Sequence, residues 1–186
     1  MSTSWQDDPR FADHPNMRSA RLWIIMALAF VATFMMIRSF STKSVVGGKA
    51  DYSWRLTDLD GKPIDLKSFQ GRPIFLNIWA TWCGPCRQEM PSIAQLASNP
   101  KLKDVAFLCV SSEAPQPVKS YVERTKPPMT MLLAADDPPS VFATEGIPAT
   151  FIIAPDGRIV RSQIGSMEWD DPAVIRLLEE LTREAK

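Results

Sequence analysis

Residues 73–86 read PIFLNIWATWCGPC, an almost uninterrupted apolar run that is followed closely by two cysteines. The run over residues 73–79 is typical of a strand buried on both faces of a sheet. Residues 87–98, which follow the cysteines, carry apolar side chains at helical spacing. The sequence therefore predicts that Cys83 and Cys86 lie at a turn from a buried strand into a helix.

The spacing of this cysteine pair carries its own chemical prediction. Two intervening residues in the first turn of a helix bring both sulfur atoms close enough to bond. The free N–H groups and the dipole of the helix N-terminus favour the thiolate form of Cys83. A thiolate is the nucleophile in disulfide exchange, and Cys86 would stand ready to release a mixed disulfide. The motif therefore predicts a redox-active pair.

Metal binding is the usual alternative for two cysteines at this spacing. Tetrahedral zinc needs four ligands, and iron–sulfur clusters need a similar set. Cys109 is the only other cysteine and His14 the only histidine, and His14 lies in the N-terminal tail. A purely structural disulfide would close a very short loop and stabilise little. We expect neither a metal nor a cofactor.

The remaining patterns extend the strand and helix into a domain. Residues 54–57 and 64–66 flank Asp60-Gly61 and predict an N-terminal β-hairpin. Further strands are predicted over residues 105–110, 129–133, 150–153 and 159–164, and further helices over residues 118–124 and 172–184. This order predicts an α/β domain over residues 51–186, with a mixed central β-sheet flanked by helices.

The N-terminal part contains a second kind of segment. Residues 22–37 carry no charge, and Arg21 and Arg38 flank them. As a helix they would span about 24 Å, less than the roughly 30 Å hydrocarbon core, but flanking arginines can reach the interfaces. We predict an uncleaved single-pass transmembrane anchor over residues 22–37, after a cytoplasmic tail over residues 1–21 and before a linker over residues 38–50. A cleaved signal peptide is the alternative. The numbers of positive charges before and after this segment are equal, so they do not set its orientation. We expect the C-terminal domain to face outward because a short head before a first apolar helix most often stays in the cytoplasm.

Composition narrows the choice of function. The 186 residues include 21 Lys and Arg against 21 Asp and Glu, so the chain has no net charge and offers no basic surface for nucleic acid. A hydrophobic content of 45% excludes a disordered chain, and three cysteines are too few for a disulfide scaffold.

Residues 77–91, NIWATWCGPCRQEMP, resemble the active-site stretch of thioredoxin-fold proteins. They are most similar to the membrane-anchored, extracytoplasmic TlpA/ResA-like thiol–disulfide oxidoreductases. The segments SFQGRP (68–73), GIPAT (146–150) and Asp156-Gly157 add to this resemblance, which covers residues 51–186. It implies a thioredoxin-like fold for that part of the chain.

The resemblance also implies roles for individual residues. Cys83 would attack a substrate disulfide, Cys86 would resolve the mixed disulfide, and the pair would form the redox disulfide. Pro148 would follow a cis peptide bond and face this pair. Ile147 would offer its backbone to a substrate chain. The substrate-contacting residues expected around the pair are Trp82, Gly84, Pro85 and Ile147.

The chain departs from thioredoxins proper at two places near the site. Asn77 stands where they usually carry a buried acid, and Asn cannot accept the proton of Cys86. The lysine that often pairs with that acid is also absent, with Phe107 nearby. Glu89 matches an acid typical of the ResA-like group, so it is the candidate proton acceptor or pKa modulator. The alternative for Glu89 is a solvent-exposed carboxylate, and Cys109 is expected to be a buried apolar residue.

The leading prediction is a membrane-tethered enzyme of the bacterial cell membrane whose domain reduces protein disulfides in the periplasm or extracytoplasmic space. Its partners would be disulfide-bearing proteins, such as apocytochrome c or cuproproteins, and a membrane thiol electron donor. A thiol peroxidase is one alternative, but Leu76 and Ala80 occupy the positions of its proline and threonine. A copper chaperone would need one more residue between the cysteines and a histidine in the domain. A binding module whose activity survives loss of both thiols is the last alternative.

Overall fold

A computed structural model describes residues 23, 24, 26 and 46–185 of the chain. The predicted anchor over residues 22–37 lies almost entirely outside the described residues, as do the tail over residues 1–21 and most of the linker over residues 38–50. Within the described part, no helix is both long and apolar enough to cross a membrane. The N-terminal assignments therefore stay predictions.

One mixed sheet of seven strands forms the centre of the domain. The strands are β1 (Leu56–Thr57), β2 (Pro63–Ile64), β3 (Ile74–Ile78), β4 (Ala106–Ser111), β5 (Thr130–Ala134), β6 (Ala149–Ile153) and β7 (Ile159–Ile164). Their spatial order is β2-β1-β5-β4-β3-β6-β7. The β3–β4 and β4–β5 pairs are parallel, and the other neighbours are antiparallel. The predicted α/β fold with a mixed sheet and an N-terminal hairpin is confirmed.

The three α-helices within residues 46–185 cover one face of this sheet. They are α1 (Gly84–Ala97), α2 (Pro115–Thr125) and α3 (Pro172–Glu184), with short 3-10 helices at Leu66–Phe69 and Pro100–Leu102. Successive side chains of a strand point to opposite faces. All five residues of β3 are buried: Phe75 packs in the core that contains α1, α2 and α3, while Ile74 and Leu76 pack in a second core on the other face, which a 3-10 helix and loop residues cover. The apolar run thus forms the doubly covered strand that it predicts.

Several boundaries differ from the sequence-based predictions, and three of these differences have a local physical reason. Leu66 belongs to a 3-10 helix rather than to the hairpin, because the Asp65 side chain accepts a hydrogen bond from the Lys67 N–H and caps a turn there. Helix α1 begins at Gly84 rather than at residue 87, with Cys83 as its N-cap. Helix α2 begins at Pro115 rather than at residue 118, since proline is well suited to a first helical turn.

The last residues of the predicted linker belong to the folded domain. The Gly47 N–H donates to the Ile159 carbonyl at 2.8 Å, and the Ile159 N–H donates to Gly48 at the same distance. The Ala50 N–H donates to the Gly157 carbonyl, also at 2.8 Å. The Ser/Gly-containing segment over residues 38–50 is predicted as a linker, but its last residues pair with the start of β7.

Candidate active site

The two cysteines lie where β3 passes into α1, as predicted. Cys83 and Cys86 are joined by a disulfide with an S–S distance of 2.03 Å and a Cα–Cα distance of 5.2 Å. The Cys86 N–H points at the Cys83 Sγ from 3.1 Å, so Cys83 caps the N-terminus of α1 with its sulfur. A sulfur in this position receives a backbone N–H and the positive end of the helix dipole. Both favour a thiolate on Cys83 once the disulfide is opened.

The loop that contains Ile147 and Pro148 faces the disulfide. The Ile147–Pro148 peptide bond is cis, as predicted, and the Ile147 carbonyl oxygen lies 3.8 Å from the Cys83 Sγ. The Gly165 N–H donates to the Pro148 carbonyl at 2.8 Å and ties this loop to the end of β7. Trp82 is 70% exposed beside it. Trp82 and Ile147 both line a cleft of about 150 Å³.

The remaining predicted contact residues also lie at this surface. Gly84 and Pro85 are exposed in the first turn of α1, between the two cysteines. The structure thus brings Trp82, Gly84, Pro85 and Ile147 to the surface around the pair. Cys83 itself is 4% exposed and Cys86 is fully buried.

Glu89 lies one helical turn beyond Cys86 and is only 1% exposed, so the solvent-exposed alternative is wrong. Its Oε1 accepts a hydrogen bond from the Asn77 amide at 2.8 Å. Its Oε2 accepts from the Trp169 indole N–H at 3.0 Å and from the Met167 backbone N–H at 3.3 Å. Three donors, one from β3 and two from the loop before α3, therefore hold one buried carboxylate.

Burial and these donors act on Glu89 in opposite directions. Burial raises the pKa of Glu89 above its usual value of 4.5, while the hydrogen bonds from Trp169, Asn77 and Met167 lower it. The burial effect is the largest. Gln88, Glu89 and the segment 166–168 line a small cleft. Glu89 is therefore a carboxyl group with an increased affinity for a proton, next to a cleft at the surface.

Trp169 is a site residue that the sequence analysis missed. Its ring packs edge-on against Phe75, with centroids 4.9 Å apart, and the Arg161 guanidinium lies 5.7 Å above it. Its backbone N–H donates to the Ser92 hydroxyl at 3.0 Å, and that hydroxyl donates to the Glu89 carbonyl. Trp169 stands 80 residues from Glu89 in the sequence, and no local pattern links the two.

Replacing Trp169 by phenylalanine removes the indole donor and keeps an aromatic ring. We expect the pKa of Glu89 to rise further, because a hydrogen bond that stabilises the carboxylate is lost. Titration of the Glu89 carboxyl carbon by NMR would measure this shift. Trp54→Phe is the matched control, since its indole N–H donates to the Asp136 carbonyl elsewhere. An unchanged Glu89 titration in Trp169→Phe would contradict the assignment of the indole as a stabilising donor.

Cys109 is fully buried in β4, as predicted. Burial raises the pKa of its thiol far above the usual range, and the charge of Glu89 adds to this effect. A thiol that stays protonated is a poor nucleophile. Cys109 is therefore part of the core rather than a third exchanging thiol. Within the described residues, no cluster of histidine, cysteine, aspartate and glutamate side chains could hold a metal ion.

A disulfide at a strand-to-helix turn, facing a cis-proline loop on a mixed sheet, defines a thioredoxin-fold thiol–disulfide protein. Comparison with known proteins agrees with this class. The family model described as Redoxin matches residues 39–178, and the chain belongs to this family. Within it, the chain belongs with the TlpA/ResA-like thiol–disulfide oxidoreductases.

Individual relatives point the same way. The thiol-disulfide oxidoreductase ResA of Bacillus thuringiensis subsp. konkukian is 32% identical over 147 residues, which cover 76% of this chain and 84% of the relative. A structure from Bacteroides vulgatus assigned as a thiol-disulfide oxidoreductase is 28% identical, with a TM-score of 0.61 over 73% of this chain and 96% of that one. A thiol:disulfide interchange protein from Bacteroides sp., 23% identical with a TM-score of 0.62 over 76% and 92%, shares the fold. The chain is a thiol–disulfide oxidoreductase.

Proposed function

We propose that this oxidoreductase reduces protein disulfides outside the cytoplasm, from a membrane tether, with Cys83 as the attacking thiol. The observation that carries the proposal is the position of the Cys83 Sγ, which caps α1 and lies 3.8 Å from the Ile147 carbonyl. That sulfur combines a favourable environment for a thiolate with a place beside an exposed cleft.

The reaction follows from this arrangement in two exchanges. The Cys83 thiolate attacks one sulfur of a substrate disulfide, forms a mixed disulfide and releases the other substrate sulfur as a thiolate. Cys86 then loses its proton and attacks the Cys83 sulfur, which releases the second substrate sulfur. The substrate disulfide is thereby reduced to two thiols, and the Cys83–Cys86 dithiol is oxidised to a disulfide in the same two-electron exchange.

Glu89 accepts the proton of Cys86 in this scheme. It lies one helical turn from Cys86, is buried beside it in α1, and has a pKa raised by burial. A raised pKa brings a carboxylate closer to the operating pH, which is what a general base needs. The cleft at residues 166–168 then gives the proton a route to solvent.

Substrate chains bind across Trp82 and Ile147. Ile147, next to the cis-proline, lines the cleft, and its backbone would pair with an extended chain as a short added strand. The apolar ring of Trp82 supplies contact area beside the reacting sulfur. Gly84 and Pro85 leave the first turn of α1 free of bulky side chains at the point of approach.

The tether and the partners complete the proposal. The uncharged run over residues 22–37 would hold the domain at the bacterial cell membrane with its site in the periplasm. A membrane thiol protein would return electrons to the Cys83–Cys86 disulfide. Disulfides of apocytochrome c or of cuproproteins are the proposed substrates, in keeping with the similarity to ResA proteins.

The reduction potential of the Cys83–Cys86 couple tests the reductive direction. The full-length protein, in detergent, would be equilibrated against dithiothreitol or glutathione mixtures, and its thiols would be trapped by alkylation. We expect a potential near that of thioredoxin, about −270 mV. A potential near that of DsbA, about −120 mV, would make the protein an oxidant instead. Failure to form any disulfide between the two cysteines would refute the exchange chemistry.

A further inference from the structure

Glu113 connects two loops at the active-site edge of the sheet. It lies two residues beyond the end of β4, next to the end of β3, because these strands are parallel neighbours. Its Oε2 accepts the Thr81 backbone N–H at 2.6 Å, and its Oε1 accepts the Thr81 hydroxyl at 2.7 Å. The Ser111 hydroxyl donates to Oε2 at 3.1 Å, and the Glu113 N–H donates to the Ser111 hydroxyl oxygen at 3.2 Å.

These contacts fix Thr81, two residues before the attacking cysteine. Both of its donors bind one carboxylate, and Arg87 of α1 donates to its carbonyl oxygen at 3.2 Å. The Cys83 N–H donates back to the Ala80 carbonyl at 3.2 Å. Hydrogen bonds to an ionised acceptor are shorter and stronger than those between neutral groups. The segment between β3 and α1 is therefore held from the side of β4 as well as from the helix.

We propose that Glu113 is a positioning residue for thiol–disulfide exchange: it anchors Thr81 and thereby fixes where the Cys83 Sγ sits between the Cys86 N–H and the Ile147 carbonyl. This inference rests on the proposed role of Cys83 as attacking thiol. Opening the disulfide releases the covalent constraint on Cys83. The clamp on Thr81 does not depend on that bond, so it holds the attacking sulfur in place in the reduced protein.

Replacing Glu113 by glutamine tests the contribution of its hydrogen bonds separately from that of its negative charge. Its carbonyl oxygen can accept the Thr81 N–H and the Ser111 hydroxyl, and its amide can donate to the Thr81 hydroxyl oxygen. Glu113→Gln therefore removes the negative charge and preserves the connection. Glu113→Ala removes both. Glu123→Ala is the matched control, because it removes an exposed glutamate from α2.

The experiment measures how fast the reduced full-length protein attacks the small aromatic disulfide dithiobis(nitrobenzoate), together with the pH dependence of that rate. We expect Glu113→Ala to lower the rate constant on the order of tenfold, since small displacements of a reacting group can cost up to about 10²-fold. We expect Glu113→Gln to restore most of the rate and Glu123→Ala to behave like the parent protein. Circular dichroism would establish that each variant is folded.

Other outcomes overturn the proposal. Equally lowered rates in Glu113→Gln and Glu113→Ala would show that the charge of Glu113, and not its position, is what matters. A parent-like rate in Glu113→Ala would show that no clamp is needed. If Glu113→Ala does not fold, Thr81→Val and Thr81→Ser decide instead: the valine variant should be slower and the serine variant restored, and a parent-like valine variant overturns the proposal. Failure of the proposed function looks different, because the parent protein would then react no faster than Cys83→Ala.

Discussion

Cys86→Ser is expected to leave a protein that attacks a substrate disulfide once and then remains covalently attached to it. Cys83 keeps its place at the N-terminus of α1, so the first exchange proceeds. The second exchange lacks its nucleophile, because serine cannot attack the mixed disulfide. We expect turnover to fall on the order of 10³-fold or more, as when one member of a group of residues that act as a catalytic unit is removed. Non-reducing electrophoresis and mass spectrometry of the trapped complex would measure this.

Two further variants make the result specific. Cys83→Ser should lose both turnover and trapping, since the attacking sulfur is gone. Cys109→Ser is the matched cysteine control and should still exchange disulfides wherever it folds, because Cys109 is buried away from the pair's surface. Trapping by Cys83→Ser and not by Cys86→Ser would reverse the assigned roles of the two thiols.

Glu89→Gln is expected to slow the second exchange by about 10²-fold, the lower end of what a general base contributes. The direction in which the rate changes with pH follows from the ionisation of Glu89. The pKa of Glu89 is raised above 4.5 by burial, and only the carboxylate can accept the Cys86 proton. As the pH falls through this raised value, the carboxylate is protonated and the rate falls. The variant has no such group, so the fall in rate that follows protonation of Glu89 should be absent from its pH profile.

Single-turnover kinetics would separate this step from the first attack. The parent protein and the variant would be mixed in reduced form with a disulfide peptide, and decay of the mixed disulfide would be followed across pH. Glu180→Gln, an exposed position on α3, is the matched control. An acid limb that persists unchanged in Glu89→Gln would assign the titration to another group.

Local patterns in the sequence account for most of the fold. The apolar run of β3, the hairpin of β6 and β7, and the bounds of α3 all follow from periodicity and turn residues that act over a few positions. The redox pair follows from its spacing, from its place between a buried strand and a helix, and from the lack of other metal ligands in the sequence. Such features need no knowledge of what packs against them.

The parts that sequence reasoning missed depend on long-range contacts. Burial of Glu89 arises from Trp169 and Met167, which arrive from the loop before α3. The anchoring of Thr81 comes from Glu113, 32 residues away on a neighbouring strand end. A polar residue in a loop gives no sign of its partner until the parallel pairing of β3 and β4 brings the loops together. The same reason hides the pairing of residues 47–50 with the start of β7.

The side-chain amide of Asn77 lies where a second carboxylate would be too close to Glu89 for both to be ionised. Its Nδ2 donates to Glu89 at 2.8 Å and to the Thr150 hydroxyl at 2.9 Å, whereas its Oδ1 is buried with no hydrogen-bond partner among the described residues. An acid at residue 77, as in thioredoxins proper, would meet Glu89 at hydrogen-bond distance, and two carboxylates so close cannot both ionise. A chain with acids at both positions would therefore hold a single negative charge shared between β3 and α1, with the pKa of one carboxyl group strongly raised.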